Sequence, residues 1–185
     1  MPKSGGRERL VCRTIANNRC HQMTLSNLDS NTFNRLLAAL PAMEWQRLEA
    51  DLALVELARD RMLYEAGCPV REVYFPASAV VSLVSLLTDG AAPEVAVVGN
   101  EGVVGVCAFM GGGRALSSAV VETAGHAWRM SAEAISLHAQ RAPEVMQPLL
   151  RYAQNLFAHL VQTSCCNRHH TLEQQVCRWL LLHVD

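Results

Sequence analysis

A chain of 185 residues is long enough for one domain of ordinary size and an appendage. Half of it is apolar and 18% is charged, a globular rather than disordered composition. The 16 basic residues against 17 acidic ones leave a net charge of −1, without the basic surplus typical of a complete DNA-binding protein. The longest apolar stretch, Ala77 to Leu87, is broken by serines and falls far short of the ~20 residues that cross a bilayer. No charged, apolar and small-residue segments follow one another at the start as in a secretion signal, so a cytoplasmic protein without membrane contact is expected. The 7 cysteines are odd in number and irregularly spaced, which favours free thiols over disulfides.

The first segment differs from all that follows. Lys3, Arg7, Arg9, Arg13 and Arg19 oppose Glu8 alone, and Gly5-Gly6 is a flexible pair. Residues 1–29 read as a disordered tail, whose first 22 residues could also be sequence upstream of a true start at Met23; a basic arm touching nucleic acid is the alternative. Order is expected from Ser30-Asn31, either of which could cap a helix over Thr32 to Leu40. Pro41 suits the first position of a second short helix carrying Met43, Trp45, Leu48 and Leu52.

The apolar period then shifts towards two. Leu52 to Leu57, Arg61 to Tyr64, Val70 to Phe75, Ala79 to Leu87, Glu94 to Val98, Leu116 to Glu122 and His126 to Met130 are short strand candidates separated by turn signals. Strands this short and this closely spaced need a roll, barrel or sandwich. Gly102 to Gly113 is glycine-rich yet too apolar for a free loop, and one helical turn is expected inside it. Ser131 caps a helix predicted over Ala132 to Gln140, and Pro143 opens a long one. Its stripes, Val145, Leu149, Tyr152 and Leu156 beside Met146, Ala153, Leu160 and Thr163, come close to a heptad. A hinge is expected at residues 167–171, where Thr171 and Gln174 resemble a capping box, before a new apolar run through Leu172, Val176, Trp179, Leu180 and Leu181.

This layout, with Val73-Tyr74-Phe75-Pro76, the turn Gly99-Asn100-Glu101-Gly102-Val103-Val104-Gly105 and the tract Cys166 to Glu173, resembles the Crp/Fnr family of transcription regulators. The resemblance implies an α+β fold: a cyclic nucleotide-binding-like β-roll (a double-stranded β-helix or jelly roll) flanked by short helices, with a long C-terminal dimerisation helix. The implied domains are an effector domain over residues 30–142, a dimerisation helix over 143–170 and, over 171–185, the first helix of a winged helix-turn-helix that is cut short. It further implies an effector bound in the roll, a homodimer through the long helix (Leu149, Tyr152, Ala153, Leu156, Leu160 and Thr163), and DNA contact only where the rest of the helix-turn-helix is present. A non-catalytic regulator follows, the alternative being a stand-alone ligand-binding or dimerisation module. No nucleophile elbow, phosphate loop or paired-carboxylate site speaks for an enzyme.

Relatives that bind cyclic AMP hold it with a Gly-Glu pair and, about ten residues on, an Arg followed by Ser or Thr. Here the matching turn places Gly105 and then Val106, with Arg114 offset and followed by Ala115, and Ser117 and Ser118 slightly late. These residues, with Thr163, make up the candidate effector pocket. Missing the carboxylate, it argues against the usual cyclic AMP site, and the effector stays unnamed. Cysteine spacing argues against an iron–sulfur cluster, and haem is likewise disfavoured. Cys165/His169 and Cys166/His170 are i,i+4 pairs that could each clip a soft metal, but small packed thiols and polar hinge histidines are the favoured reading and no metal is expected.

Overall fold

The computed structural model describes residues 33–85, 90–91 and 93–182. The expectations for residues 1–29, for a cap at Ser30-Asn31 and for the strand end at 86–87 lie outside that range. Two short helices, α1 (Arg35–Ala38) and α2 (Ala42–Glu49), precede seven strands. These are β1 (Ala53–Leu57), β2 (Met62–Tyr64), β3 (Glu72–Pro76), β4 (Val80–Val84), β5 (Glu94–Val98), β6 (Ser118–Thr123) and β7 (Gly125–Ser131). A 3-10 turn, Val106–Ala108, supplies the helical turn expected within the glycine-rich segment. Three helices follow: α3 (Ala132–Arg141), α4 (Pro143–His169) and α5 (Leu172–Leu182).

α1 begins later than the sequence suggested. Asn34, in extended conformation, is its cap, with Oδ1 accepting from the Leu36 and Leu37 amides at 3.1 and 3.0 Å. Pro41 likewise sits one place earlier than expected, capping α2 with its carbonyl rather than occupying the first helical position. Ser131 caps α3 as its hydroxyl suggested, its Oγ accepting from the Ala134 amide at 3.1 Å.

The strands form two antiparallel sheets, one ordered β1-β7-β3 and the other β2-β6-β4-β5. β3 shows why its sequence looks continuously apolar. Val73 and Phe75 face a core shared with the helices, whereas Tyr74 faces the core between the sheets. A strand covered on both faces loses the polar alternation of a half-exposed one. β7 is split in the same way, with Trp128 and Met130 on the helical side and Ala127 inside the roll. Trp128 meets Trp45 of α2 edge to face, ring centroids 6.3 Å apart, a favoured aromatic geometry.

α4 runs for 27 residues and carries Pro148 within it. Proline lacks the amide that would bond four residues back, so this turn holds by packing rather than by its own ladder. Val145 and Leu149 on either side of it are buried in the helical core. The chain bends where the polar residues cluster. His170 closes α4 through its amide on the Cys166 carbonyl, and the Thr171 amide donates to Gln174 Oε1 at 3.1 Å, half of the capping box. Among the described residues no helix is long and apolar enough to cross a membrane.

Candidate functional site: the glycine turn and the long helix

The segment after β5 meets α1, β2, β3 and α4. Asn34 is buried and donates through Nδ2 to the carbonyls of Pro76 (2.8 Å) and Gly102 (2.9 Å), while the Arg35 amide donates to the Asn100 carbonyl at 2.7 Å. One side chain thus joins α1, the end of β3 and the glycine turn. Val104 exchanges both backbone hydrogen bonds with Tyr74, stitching the turn to β3.

Gly105 adopts φ +99°, the left-handed region, where it starts the 3-10 turn. A Cβ there would also lie 3.2 Å from both Val70 Cγ1 and Val73 Cγ1, so conformation and space both call for glycine. Its backbone meets the hydroxyl of Tyr64, whose ionisation burial pushes well above the ordinary tyrosine range. The neighbouring Cys107 adds to that shift and the Gly105 hydrogen bond partly opposes it. Val106, where the resemblance puts a carboxylate, is half-buried and packs on the helical core. It offers a ribose hydroxyl no acceptor.

The other candidate pocket residues are dispersed. Arg114 is exposed and donates through Nη1 to the Gly67 carbonyl at 2.8 Å, tying two loops together. Ser118 is buried and accepts from the Ala66 amide at 3.0 Å, whereas Ser117 is half-buried just before β6. Thr163 accepts from Arg178 Nη2 at 3.1 Å and lines a cleft between β5 and α5 whose lining includes none of the other five.

α4 meets the turn through Tyr152, a residue that packs against both cores. Its ring lies so close to Gly102 that a methyl group on that glycine would overlap it. Burial raises the Tyr152 hydroxyl's pKa well above the usual range; the Glu101 charge adds to this and a hydrogen bond with the Val103 backbone opposes it. Leu149 and Ala153 are also buried against this chain's own roll, and Leu156 packs on the core between the sheets. Leu160 and Thr163 are half-buried. The large apolar side chains that α4 leaves open are Leu150, Phe157 and Val161, 46, 67 and 48% exposed. They are spaced seven and four apart, as on one helix face, and the sequence stripes did not single them out.

Of the metal candidates, Cys165, His169 and His170 are exposed, while Cys166 is buried with its Sγ accepting from Gln162 Nε2 at 3.3 Å and Arg178 Nη1 at 3.0 Å. Among the described residues no three metal-ligating side chains come together.

Residues 54–138 match the family model described as the cyclic nucleotide-binding domain. The chain shares its fold with the N-terminal domain of a transcriptional regulator from Streptomyces coelicolor A3(2), at 24% identity and TM-score 0.53, over 74% of this chain and 95% of that one. The c-di-GMP responsive global regulator CLP of Xanthomonas campestris is similar at 15% identity and TM-score 0.64, over 76% and 70% of the two chains. FixK2 from Bradyrhizobium japonicum is similar at 18% identity and TM-score 0.63, over 70% of this chain and 64% of that one. Crp/Fnr-type transcription regulators are thus among the structural neighbours of the domain. Curated protein sequences give no match.

Proposed function

We propose that this chain is the effector-sensing and dimerising part of a Crp/Fnr-type transcription regulator, cytoplasmic and without catalytic activity of its own. The observation that carries it is the seat of Tyr152 on Gly102. The turn that closes the roll and the helix that leaves it cannot move independently. An effector that rearranges the glycine turn therefore biases the position of α4, a shift between two arrangements rather than a new structure. The effector pocket lies at the turn, around Gly105, Tyr64 and Ser118. Val106 and the outward Arg114 leave it without the partners that hold a cyclic phosphate and ribose, so its ligand differs from cyclic AMP. Loss of one charge-assisted partner alone costs about 1.5–3 kcal/mol.

The open stripe Leu150, Phe157 and Val161 supports a homodimer through α4, because a second copy of the same helix covers it most simply. DNA contact would come from a helix-turn-helix of which residues 171–185 supply the first helix. The second reading, a stand-alone ligand-binding and dimerising module, keeps the roll and α4 and dispenses with DNA.

Native mass spectrometry of the purified protein, with and without added cyclic AMP, tests both elements. A dimer that does not retain cyclic AMP is expected. Monomers at micromolar concentration would remove the dimer, and a saturating cyclic AMP adduct would overturn the role given to Val106.

A further inference from the structure

Among its described side chains, α5 places none in either core, and Leu172, Val176, Leu180 and Leu181 stand 47–76% exposed. A lone helix of 11 residues is marginal in water, so contacts other than core packing hold it. The sequence leads one to expect a hinge at residues 167–171. The structure instead spans that bend with side-chain hydrogen bonds.

Gln175 and Arg178, one helical turn apart and so on one face of α5, both reach back to the end of α4. Gln175 Nε2 donates to the carbonyls of Asn167 at 3.4 Å and His170 at 3.0 Å. The first of these is among the carbonyls that a helix end leaves without a partner of its own. Arg178 donates through Nη1 to Cys166 Sγ at 3.0 Å and through Nη2 to Thr163 Oγ1 at 3.1 Å. Thr163 and Cys166 also lie one turn apart, so the planar fork of a single guanidinium bridges one face of α4. Its charge stands near the end of α4 where the helix dipole favours a cation.

We propose that Gln175 and Arg178 are positioning residues that clasp α5 to α4, so that the two helices turn as one lever until the clasp opens. With the clasp closed, α5 follows a displacement of α4 instead of absorbing it at the bend. Charge alone does not make the clasp, because a lysine at position 178 keeps the cation but has no fork to hold both acceptors. Cys166 reports its state. That thiol is 3% exposed and bonded to the guanidinium, whereas Cys165 on α4 and Cys177 on α5 are exposed. The clasp belongs to the elbow and does not depend on what the glycine turn binds.

The test is N-ethylmaleimide labelling of the full chain, with the rate at each cysteine read by tandem mass spectrometry. In the wild type Cys166 should react about tenfold more slowly than Cys165 and Cys177, because reagent reaches it only through local opening. Arg178→Lys, and Gln175→Leu, which does not touch the sulfur, should each raise the Cys166 rate towards that of Cys165. Both should leave half-buried Cys107, in the roll, as slow as before. A wild-type Cys166 as reactive as Cys165, or protection that either variant leaves untouched, would overturn the proposal. Variants that also free Cys107 would overturn it too, since these bonds would then hold up the roll rather than the elbow. A monomer with a protected Cys166 counts against the dimer and not against the clasp; a dimer with an unprotected Cys166 does the reverse.

Discussion

The phenol ring of Tyr152, on the long helix, rests on the bare Cα of Gly102, in the turn that closes the roll. Neither residue can change size without the other. Gly102→Ala should therefore cost about 1–3 kcal/mol, the usual toll of overpacking a filled site. Tyr152→Ala should destabilise the protein on its own account, and the double variant should be more stable than the sum of the two losses implies. Urea unfolding of the four proteins measures this. Strict additivity would mean that the two residues do not bear on each other.

Asn34 offers a second, independent check. Its side chain caps α1 and also satisfies the carbonyls of Pro76 and Gly102. Asn34→Ala removes a helix cap and leaves buried carbonyls short of a donor, so a loss of about 2–4 kcal/mol is expected. Asn34→Asp keeps the cap but not the donors, and should fall between the two. Thermal melts that place Asn34→Asp level with the wild type would show that the carbonyl contacts contribute nothing.

Alkaline pH should act through three tyrosines. Burial raises Tyr64, Tyr74 and Tyr152 above the ordinary range, helped by Cys107, Glu72 and Glu101 respectively. A group whose folded pKa is raised contributes its full stability below its unfolded pKa, near 10 for tyrosine, and loses it as pH climbs towards the folded value. Stability should thus be insensitive to these groups at neutral pH and decline from about pH 10 upward. Tyrosinate absorbance should appear together with loss of the circular dichroism signal. Full tyrosine ionisation at pH 10 in a still folded protein would contradict the burial of these hydroxyls.

Much of this architecture was legible in the chain because its signals are local. All seven strands overlap the short apolar runs set between turn residues, and Glu94–Val98 agrees to the residue. The elements whose ends were misplaced are those decided by long-range contact. Nothing local marks Asn34 as the cap of α1; its amide also reaches two carbonyls, 42 and 68 positions away. The site was harder still. A heptad stripe says which residues share a helix face, but not whether that face meets the chain's own roll or another molecule. Leu149 and Leu150 are neighbours in sequence, one 3% and the other 46% exposed. Only the position of the roll separates them. Likewise Thr163, a candidate pocket residue from the sequence, meets Arg178, 15 positions on and past the elbow.

The dimer through α4 is the most direct point of test, by sedimentation velocity of the wild type beside Phe157→Asp. Phe157 is 67% exposed on the single chain, so the aspartate should leave the monomer's fold intact, as its circular dichroism spectrum would show. The wild type is expected to sediment as a dimer and Phe157→Asp as a folded monomer. A wild-type monomer, or a variant that sediments as the wild-type dimer does, would contradict the account.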